Sequence, residues 1–456
     1  MSPGPRPRLF PRALTGGFAT AVAMWIVGYL THLPGVPRLP YLVAPLLILT
    51  LAAGCAIASR SCRRPALVGA RVGLAAALVN LLVLGAILAE PATTNALRPG
   101  WLITLGGFLA FSAALGFISG AVAARPRPAP LDEPPATEWH ARFGVVACAA
   151  ALPVLLSGGL VTSTNTGLAV PDWPSSYNAN MFLYPLSRMT GGIYYEHAHR
   201  LFGSLVGLAV LVLLVFTFIA DRRTLPRTLA TIAFITVCAQ GILGGVRVTA
   251  ASGGGAASGG GADPASMADN SRSLALALLH GTTAQLLFAL LCVLAAVLST
   301  RWRSGPAASR ADPMLRPLSG ALLGALVLQL LLGAATRHLQ STHALITHIL
   351  FALVVLAIAT LAGARAGYRH ADDPVLRRTG RAVMHLAGVQ VALGLIAAFL
   401  VLPYAKDKAD TTPAVLVATA HQATGALLLG GAAMLFAWSR RLIVPARGAT
   451  PQPAGA

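Results

Sequence analysis

Four histidines lie inside separate apolar segments of the chain, each close to a segment end: His199, His280, His348 and His421. A histidine in a membrane-spanning helix is costly and usually faces a partner in the interior of a helix bundle. Imidazole is also a common axial ligand of haem iron. Four histidines at matched depth therefore predict two pairs of axial ligands, one pair for each of two metal porphyrins.

The amino-acid composition indicates a membrane protein. Of the 456 residues, 56% are hydrophobic and only 11% are charged, whereas soluble domains carry roughly 25% charged residues. The net charge of +20 is spread over short clusters between apolar runs, so we expect a lipid bilayer and no nucleic acid as partner. The five cysteines lie far apart and form no CxxC spacing. The sequence therefore gives no case for a disulfide framework, a zinc site or a covalently attached haem.

Segment lengths predict an all-α polytopic membrane protein with about twelve spans of roughly 20 residues each. The apolar segments cover residues 14–32, 41–59, 67–89, 101–124, 143–162, 198–220, 228–249, 273–299, 318–336, 343–363, 382–402 and 414–438.

Arginine placement predicts the orientation of these spans. Most basic residues fall in the loops on the side of the N-terminus. Because cytoplasmic loops are enriched in Lys and Arg, we expect both termini in the cytoplasm of a bacterium and the four histidines towards the outer face of its cytoplasmic membrane. At 1.5 Å per residue, all four lie within about 12 Å of the outer helix ends. The loops on the outer side hold only Arg38, Arg98, Arg188, Arg272, Arg337, Lys406 and Lys408.

A weak internal repeat covers the last eight spans. HRLFGSLVGL, from His199, aligns with HILFALVVLA, from His348, and AQGILGGV resembles VQVALGLI. LHGTTAQLLF around His280 parallels AHQATGALLL around His421. The repeat unit consists of four helices, and its second and fourth helices each carry a histidine. Two such units predict two pseudo-repeated four-helix bundles, each with one histidine pair.

The predicted domains follow from this repeat and from the changes in composition. A four-helix module of unknown role covers 1–124, and a Pro-rich cytoplasmic linker covers 125–142. The first bundle covers 143–300 and the second covers 301–440, before a disordered tail at 441–456. A Gly/Ser-rich stretch at 251–266 is predicted to be a flexible loop. The outer loop at 163–197 is rich in aromatic residues and is predicted to fold over the outer end of the first bundle.

Three motifs carry a resemblance to a known family. TGLAVPDWP at 166–174, EHAHR at 196–200 and the two histidine helices around His280 and His421 resemble the haem A synthase family, and the similarity covers 143–440. It implies an eight-helix oxidoreductase that oxidises the C8 methyl of haem O to the formyl group of haem A for terminal oxidases. The four N-terminal helices lie outside it.

The resemblance also assigns the histidines. His199 and His280 would flank the substrate, haem O, in the first bundle. His348 and His421 would bind a haem b cofactor in the second bundle. His343 is an alternative to His348, but it lies five residues earlier, about 140° around the helix, and the repeat favours His348.

Three further residues are expected in the first site. Glu196, one helical turn before His199, is the candidate catalytic residue, which would relay protons or stabilise positive charge at the oxidised carbon. Arg200 and Arg247 are candidates for contacts with the haem propionates, because guanidinium pairs with carboxylate in a bidentate manner. Expected partners are haem O synthase, terminal oxidase subunits and an unidentified electron donor or acceptor.

The loop departs from the family in one respect, because many members carry two cysteines there and LAVPDWPSSYN has none. A loop disulfide is therefore excluded. This departure leaves a second interpretation, a non-catalytic haem-binding subunit for electron transfer or haem handling. A transporter is disfavoured, because transporters usually bind substrate at broken helices near the midplane. Histidines that only form hydrogen bonds across the bundle are the structural alternative.

Overall fold

The computed structural model describes residues 9–33, 40–60, 62–83, 85–90, 95–124, 134–252, 271–305, 310–401 and 411–444. Within these ranges, twelve helices have the length and the apolar composition needed to cross a bilayer. The predicted all-α polytopic fold is therefore confirmed.

The twelve long helices are numbered in chain order. They are α1 Leu9–Thr31, α2 Pro40–Ser59, α3 Pro65–Val83, α4 Trp101–Ala123, α5 Ala136–Ser163, α6 Gly191–Ala220, α7 Thr224–Ser252, α8 Ser271–Leu298, α9 Leu315–Leu339, α10 Thr342–Ala364, α11 Pro374–Val401 and α12 Thr412–Leu442. A short helix, Thr300–Ser304, follows α8, and strand β1 (Arg310–Ala311) pairs in parallel with strand β2 (Ile443–Val444).

Helices α5 to α8 form a ring of four neighbours, and α9 to α12 form a second ring with the same order of contacts. The rings join where α12 packs against α5 and α8. Each ring encloses its own apolar core. Residues 163–190 lie at one end of the helices, called the loop end here. The opposite end, where most arginines lie, is called the arginine end.

The first four helices pack together and contact the first ring mainly through α1 and α5. Phe18 of α1 meets Phe143 of α5 edge to face, with ring centroids 5.1 Å apart. Trp25 of α1 meets Phe202 of α6 in the same way at 5.6 Å. The apolar core of the first bundle therefore continues into α1.

Several predicted boundaries are wrong. Helix α5 begins at 136, so the last part of the predicted linker is helical, because Trp139 and His140 are buried there and His140 Nε2 is 2.9 Å from Thr217 Oγ1. Helix α6 begins at 191 rather than 198, and α3 ends at Val83, before a 3₁₀ turn, instead of at 89.

The predicted tail also needs correction, since residues 441–444 complete α12 and β2. Residues 125–133 of the linker, 253–266 of the Gly/Ser-rich loop and 445–456 of the tail lie outside the described residues.

Candidate functional site

The four histidines predicted as ligands form two imidazole pairs. His199 of α6 and His280 of α8 have ring centroids 6.2 Å apart with 84° between the ring planes. His348 of α10 and His421 of α12 repeat this arrangement at 6.3 Å and 81°. Each pair joins the second and fourth helices of its bundle.

The depths of the four histidines also match. Because α6 begins earlier than predicted, His199 is its ninth residue, while His280 and His421 are each the tenth residue of their helices and His348 is the seventh. At 1.5 Å per residue, the four lie within about 5 Å of the same depth below the loop end. Two porphyrin sites would therefore lie side by side.

The separation within each pair fits a single metal ion. A metal–imidazole bond is about 2 Å long, and the ring centre lies about 1 Å beyond the nitrogen, so two opposed ligands place their ring centres about 6 Å apart. The observed 6.2 and 6.3 Å agree with that value. The residues present therefore fit two bis-histidine haems.

A glycine of the preceding helix lies beside each imidazole. A Cβ atom at Gly158 would lie only 2.9 Å from Cε1 of His199, closer than a side chain permits. The same holds for Gly333 and Gly394 at 2.9 Å. The four pairs are Gly158–His199, Gly244–His280, Gly333–His348 and Gly394–His421.

In three of these helices a glutamine lies four residues before the glycine. The backbone one turn before each glycine lies next to the corresponding imidazole, at Val154, Gln240, Gln329 and Gln390. Nδ1 of His280, His348 and His421 is buried and has no hydrogen-bond partner within the described residues. The spacing is therefore a signal for the imidazole environment that the sequence already contained.

Polar atoms without partners mark the first site. Gln240 is 6% exposed, and both atoms of its side-chain amide lack a hydrogen bond within the described residues. Nε of Arg247, three residues beyond Gly244, is also buried and without a partner there. Because buried polar groups are nearly always satisfied in native proteins, a polar group of a ligand would supply the partners that these atoms lack.

Glu196 and Arg200 both hold the outer loop. The Glu196 carboxylate is 4% exposed and accepts hydrogen bonds from the backbone N–H of Val170 at 2.9 Å and from Arg200 at 2.7 Å. Arg200 also donates to the carbonyls of Val170 at 2.8 Å, Asp172 at 2.7 Å and Ser175 at 3.0 Å. Both terminal nitrogens of Arg200 are thus engaged with the loop and Glu196, and this geometry does not favour the predicted propionate contact.

The loop covers the loop end of the His199–His280 pair. The Trp173 indole lies against α7 at Gly245, where a Cβ would come within 2.2 Å of Cδ2. A Cβ at Gly167 would lie 2.6 Å from Nη1 of Arg247. Asp172 braces the turn by accepting hydrogen bonds from the backbone N–H groups of Tyr177 and Asn178.

The electrostatics of this turn favour charged Asp172. Partial burial raises the pKa of Asp172, but hydrogen bonds from Ser175, Asn178 and Tyr177 outweigh that effect and lower the pKa below its usual value. Asp172 therefore stays ionised while it braces the turn.

The N-terminal module contacts the same loop, and the sequence did not predict this contact. Asn95 Nδ2 donates to the carbonyl of Asn178 at 3.1 Å, and Asn95 Oδ1 accepts from the backbone N–H of Asn180. Tyr29 stacks on Tyr194 with centroids 5.4 Å apart. No local pattern could reveal these contacts, because the partners are 83 to 165 positions apart.

The second imidazole pair has different polar neighbours. Gln329 Nε2 donates to the carbonyl of His348 at 2.8 Å, and Gln390 Nε2 lies 3.3 Å from Nε2 of His421. His343 is exposed and lies outside the pair. The connection between α9 and α10 consists of only two residues, Gln340 and Ser341.

The family model described as cytochrome oxidase assembly protein, COX15-CtaA, matches residues 141–348. A search of curated proteins found no match. The matched segment runs from α5 to His348 and includes the first imidazole pair together with Glu196 and Arg200. The match supports the resemblance seen in the sequence: residues 141–348 are similar to the COX15-CtaA family of cytochrome oxidase assembly proteins, in agreement with the haem A synthase motifs.

Proposed function

We propose that this chain is a membrane haem A synthase, which oxidises the C8 methyl of haem O to a formyl group. One observation carries the proposal: two imidazole pairs with the separation of bis-histidine haem ligands lie at one depth in two repeated bundles. The family match to cytochrome oxidase assembly proteins supports the same biological role.

The proposal gives the two pairs different roles. His199 and His280 bind and orient the substrate, haem O, because the covering loop and the unpartnered Gln240 and Arg247 lie in this bundle. His348 and His421 hold a haem b, which supplies one-electron redox chemistry when bound.

Arg247 is the proposed propionate partner in the first site. Its guanidinium lies beside Gly167 of the loop, its Nε is buried without a partner among the described residues, and it comes from the loop end of α7. Guanidinium binds carboxylate strongly through charge-assisted, often bidentate hydrogen bonds. Arg200 instead keeps the loop closed, which excludes water from the porphyrin edge.

Glu196 has two proposed contributions. Its charge fixes Arg200 and, through Arg200, the loop. It also places a carboxylate one helical turn from His199, where it serves proton transfer during oxidation of the methyl group.

The second candidate function is a non-catalytic haem-binding subunit for electron transfer or haem handling. The observations that favour it are the absence of cysteine from the loop and the use of both Glu196 oxygens in holding the loop. In this interpretation Glu196 is a structural residue.

One experiment separates the two functions. The chain is co-expressed with a haem O-forming enzyme in a host that lacks haem A, and the extracted haems are analysed by mass. Haem A or its hydroxymethyl intermediate, absent from a His199→Ala control, is the expected result. Only haem B and haem O, extracted from a folded protein with bound haem, would establish the electron-transfer alternative.

A further inference from the structure

A cavity of about 780 Å³ lies at the arginine end, between α1, α2 and the first turns of α5. Its volume falls in the range of small-molecule binding pockets, roughly 300–1,000 Å³. The cavity is far from both imidazole pairs along the helices, because Trp139 in its wall is 19 residues before Gly158 on α5. It is therefore a separate feature from the proposed porphyrin sites.

Three arginines, one tryptophan and three threonines form the polar part of the wall: Arg12, Arg60, Arg142, Trp139, Thr15, Thr20 and Thr50. Arg12 is buried and donates hydrogen bonds to the carbonyls of Ala58 and Arg60. The guanidinium carbons of Arg12 and Arg142 lie 5.1 and 4.4 Å from the Trp139 ring centroid. Glu138 forms an ion pair with Arg142. This part of the wall carries a net positive charge, which favours an anion.

The indole N–H of Trp139 is a buried donor without an acceptor. Trp139 is 6% exposed, and its Nε1 atom has no hydrogen-bond partner within the described residues. An unsatisfied buried donor is costly, and native proteins rarely keep one. This nitrogen is inaccessible to solvent, so Trp139 contributes its ring to the cavity wall and not its N–H.

The remaining wall suits an alkyl chain. Small side chains of α1 and α2 line it, among them Ala19, Ala23 and Ala53. Two larger apolar residues at its edge, Leu49 and Ile57, are 65% and 62% exposed, so this side of α2 faces outward. A ligand could therefore lie with its charged group near the arginines and its chain along the helices.

From these observations we propose that the cavity binds one anionic phospholipid. The phosphate lies near the guanidiniums of Arg60 and Arg142, and an acyl chain lies along the wall formed by α1 and α2. Basic pockets between membrane helices bind anionic lipid head groups in this way. A soluble anion would use the arginines but not the apolar wall. The bound lipid joins the N-terminal module to the first bundle, since the cavity lies between them.

Native mass spectrometry of the full-length protein in detergent tests this proposal. Dimyristoyl phosphatidylglycerol and dimyristoyl phosphatidylcholine are titrated separately. We expect one phosphatidylglycerol to bind at least about 10-fold more tightly than phosphatidylcholine, because the head group gains charge-assisted hydrogen bonds. Equal binding of both lipids would overturn the proposal.

Two variants probe the polar contacts. Arg60→Gln removes one guanidinium from the cavity wall, and we expect about 10-fold weaker binding of phosphatidylglycerol from the loss of a charge-assisted hydrogen bond. Arg142→Gln alters a half-exposed side chain, so folding is preserved, and a similar loss is expected. Binding unchanged in Arg142→Gln would contradict the proposed head-group position.

Arg440→Gln is the matched control. Arg440 also lies at the arginine end over an aromatic ring, 4.8 Å from the centroid of Phe436, but outside the cavity. We expect its lipid binding to equal that of the wild type. A separate arm uses inorganic phosphate, and a melting-temperature increase as large as that caused by phosphatidylglycerol at equal concentration would identify a soluble-anion site instead.

Discussion

The two bundles share their imidazole geometry but differ in what surrounds it. In both, a glycine of the preceding helix lies beside each histidine, and the ring centroids are 6.2 or 6.3 Å apart. Within the described residues, only the first pair has a long loop held by Glu196 and Arg200, and only this loop is contacted by the N-terminal module. The shared features are those that a bis-histidine porphyrin site requires.

The differences suggest how the two sites divide their roles. A permanently bound cofactor needs ligands and a close-fitting apolar surround, whereas a substrate site also needs a cover that excludes water and partners for the propionates. The long loop, with Arg247 beneath Gly167, is found in the first bundle, while α9 and α10 are joined by two residues. The comparison therefore assigns substrate handling to the first bundle.

Removal of a histidine from each pair gives the largest expected difference. His348→Ala should abolish retention of haem b in the purified protein, because the cofactor loses an axial ligand. His199→Ala should retain haem b and lose haem A formation. Haem content per protein, measured by pyridine haemochrome absorbance, checks this prediction. Equal loss of haem b in both variants would remove the proposed division between the bundles.

Neutralising Glu196 should weaken the cover of the first site only. Glu196→Gln leaves Arg200 buried without its charged partner, which costs about 3–5 kcal/mol for a buried pair. We expect faster proteolysis of the loop and an unchanged haem b content. Glu138→Gln is the control, since its exposed pair with Arg142 is worth about 0–1 kcal/mol. Loop proteolysis at the wild-type rate in Glu196→Gln would show that the ion pair does not hold the cover.

The arginine ends of the bundles allow a test of pH dependence. In the second bundle, Asp312 is 1% exposed; burial raises its pKa, but hydrogen bonds from His370 and Arg365 outweigh this effect and lower the pKa to about 2. Because the folded pKa lies below the unfolded value, the stabilisation is fully present above about pH 4 and is lost as the pH falls towards 2. It amounts to about 2 kcal/mol.

Thermal unfolding in detergent between pH 5 and pH 2 measures this contribution. Asp312→Asn should lower the melting temperature at pH 5 and flatten the decline below pH 4. An unchanged pH profile in Asp312→Asn would mean that other carboxyl groups cause the acid sensitivity.

The smallest expected effect concerns the contact between the N-terminal module and the loop. Asn95→Ala removes two hydrogen bonds to the turn at Asn178 and Asn180, each worth about 1 kcal/mol. Hydrogen exchange at residues 176–180 should become faster, while exchange at Gln340 and Ser341 stays unchanged. Equal exchange in the variant and the wild type would show that the module does not stabilise the cover.

The sequence alone determined the membrane fold and the partners within each imidazole pair. Hydropathy over roughly 20 residues is a local property, so twelve spans could be read directly from it. The repeat related His199 to His348 and His280 to His421, and helical rise placed all four at one depth. The sequence did not determine the helix ends. Helix α6 begins at Gly191 and not at 198, because the aromatic residues before His199 are compatible with either a loop or a helix.

Only the tertiary structure decided which polar groups meet. Arg200 turns towards the loop carbonyls, Asn95 reaches a turn more than 80 positions away, and the Trp139 indole faces a cavity between two modules. None of these contacts follows from hydropathy or spacing. They depend on how the helices pack, because side chains from distant parts of the chain become neighbours only when the bundles assemble.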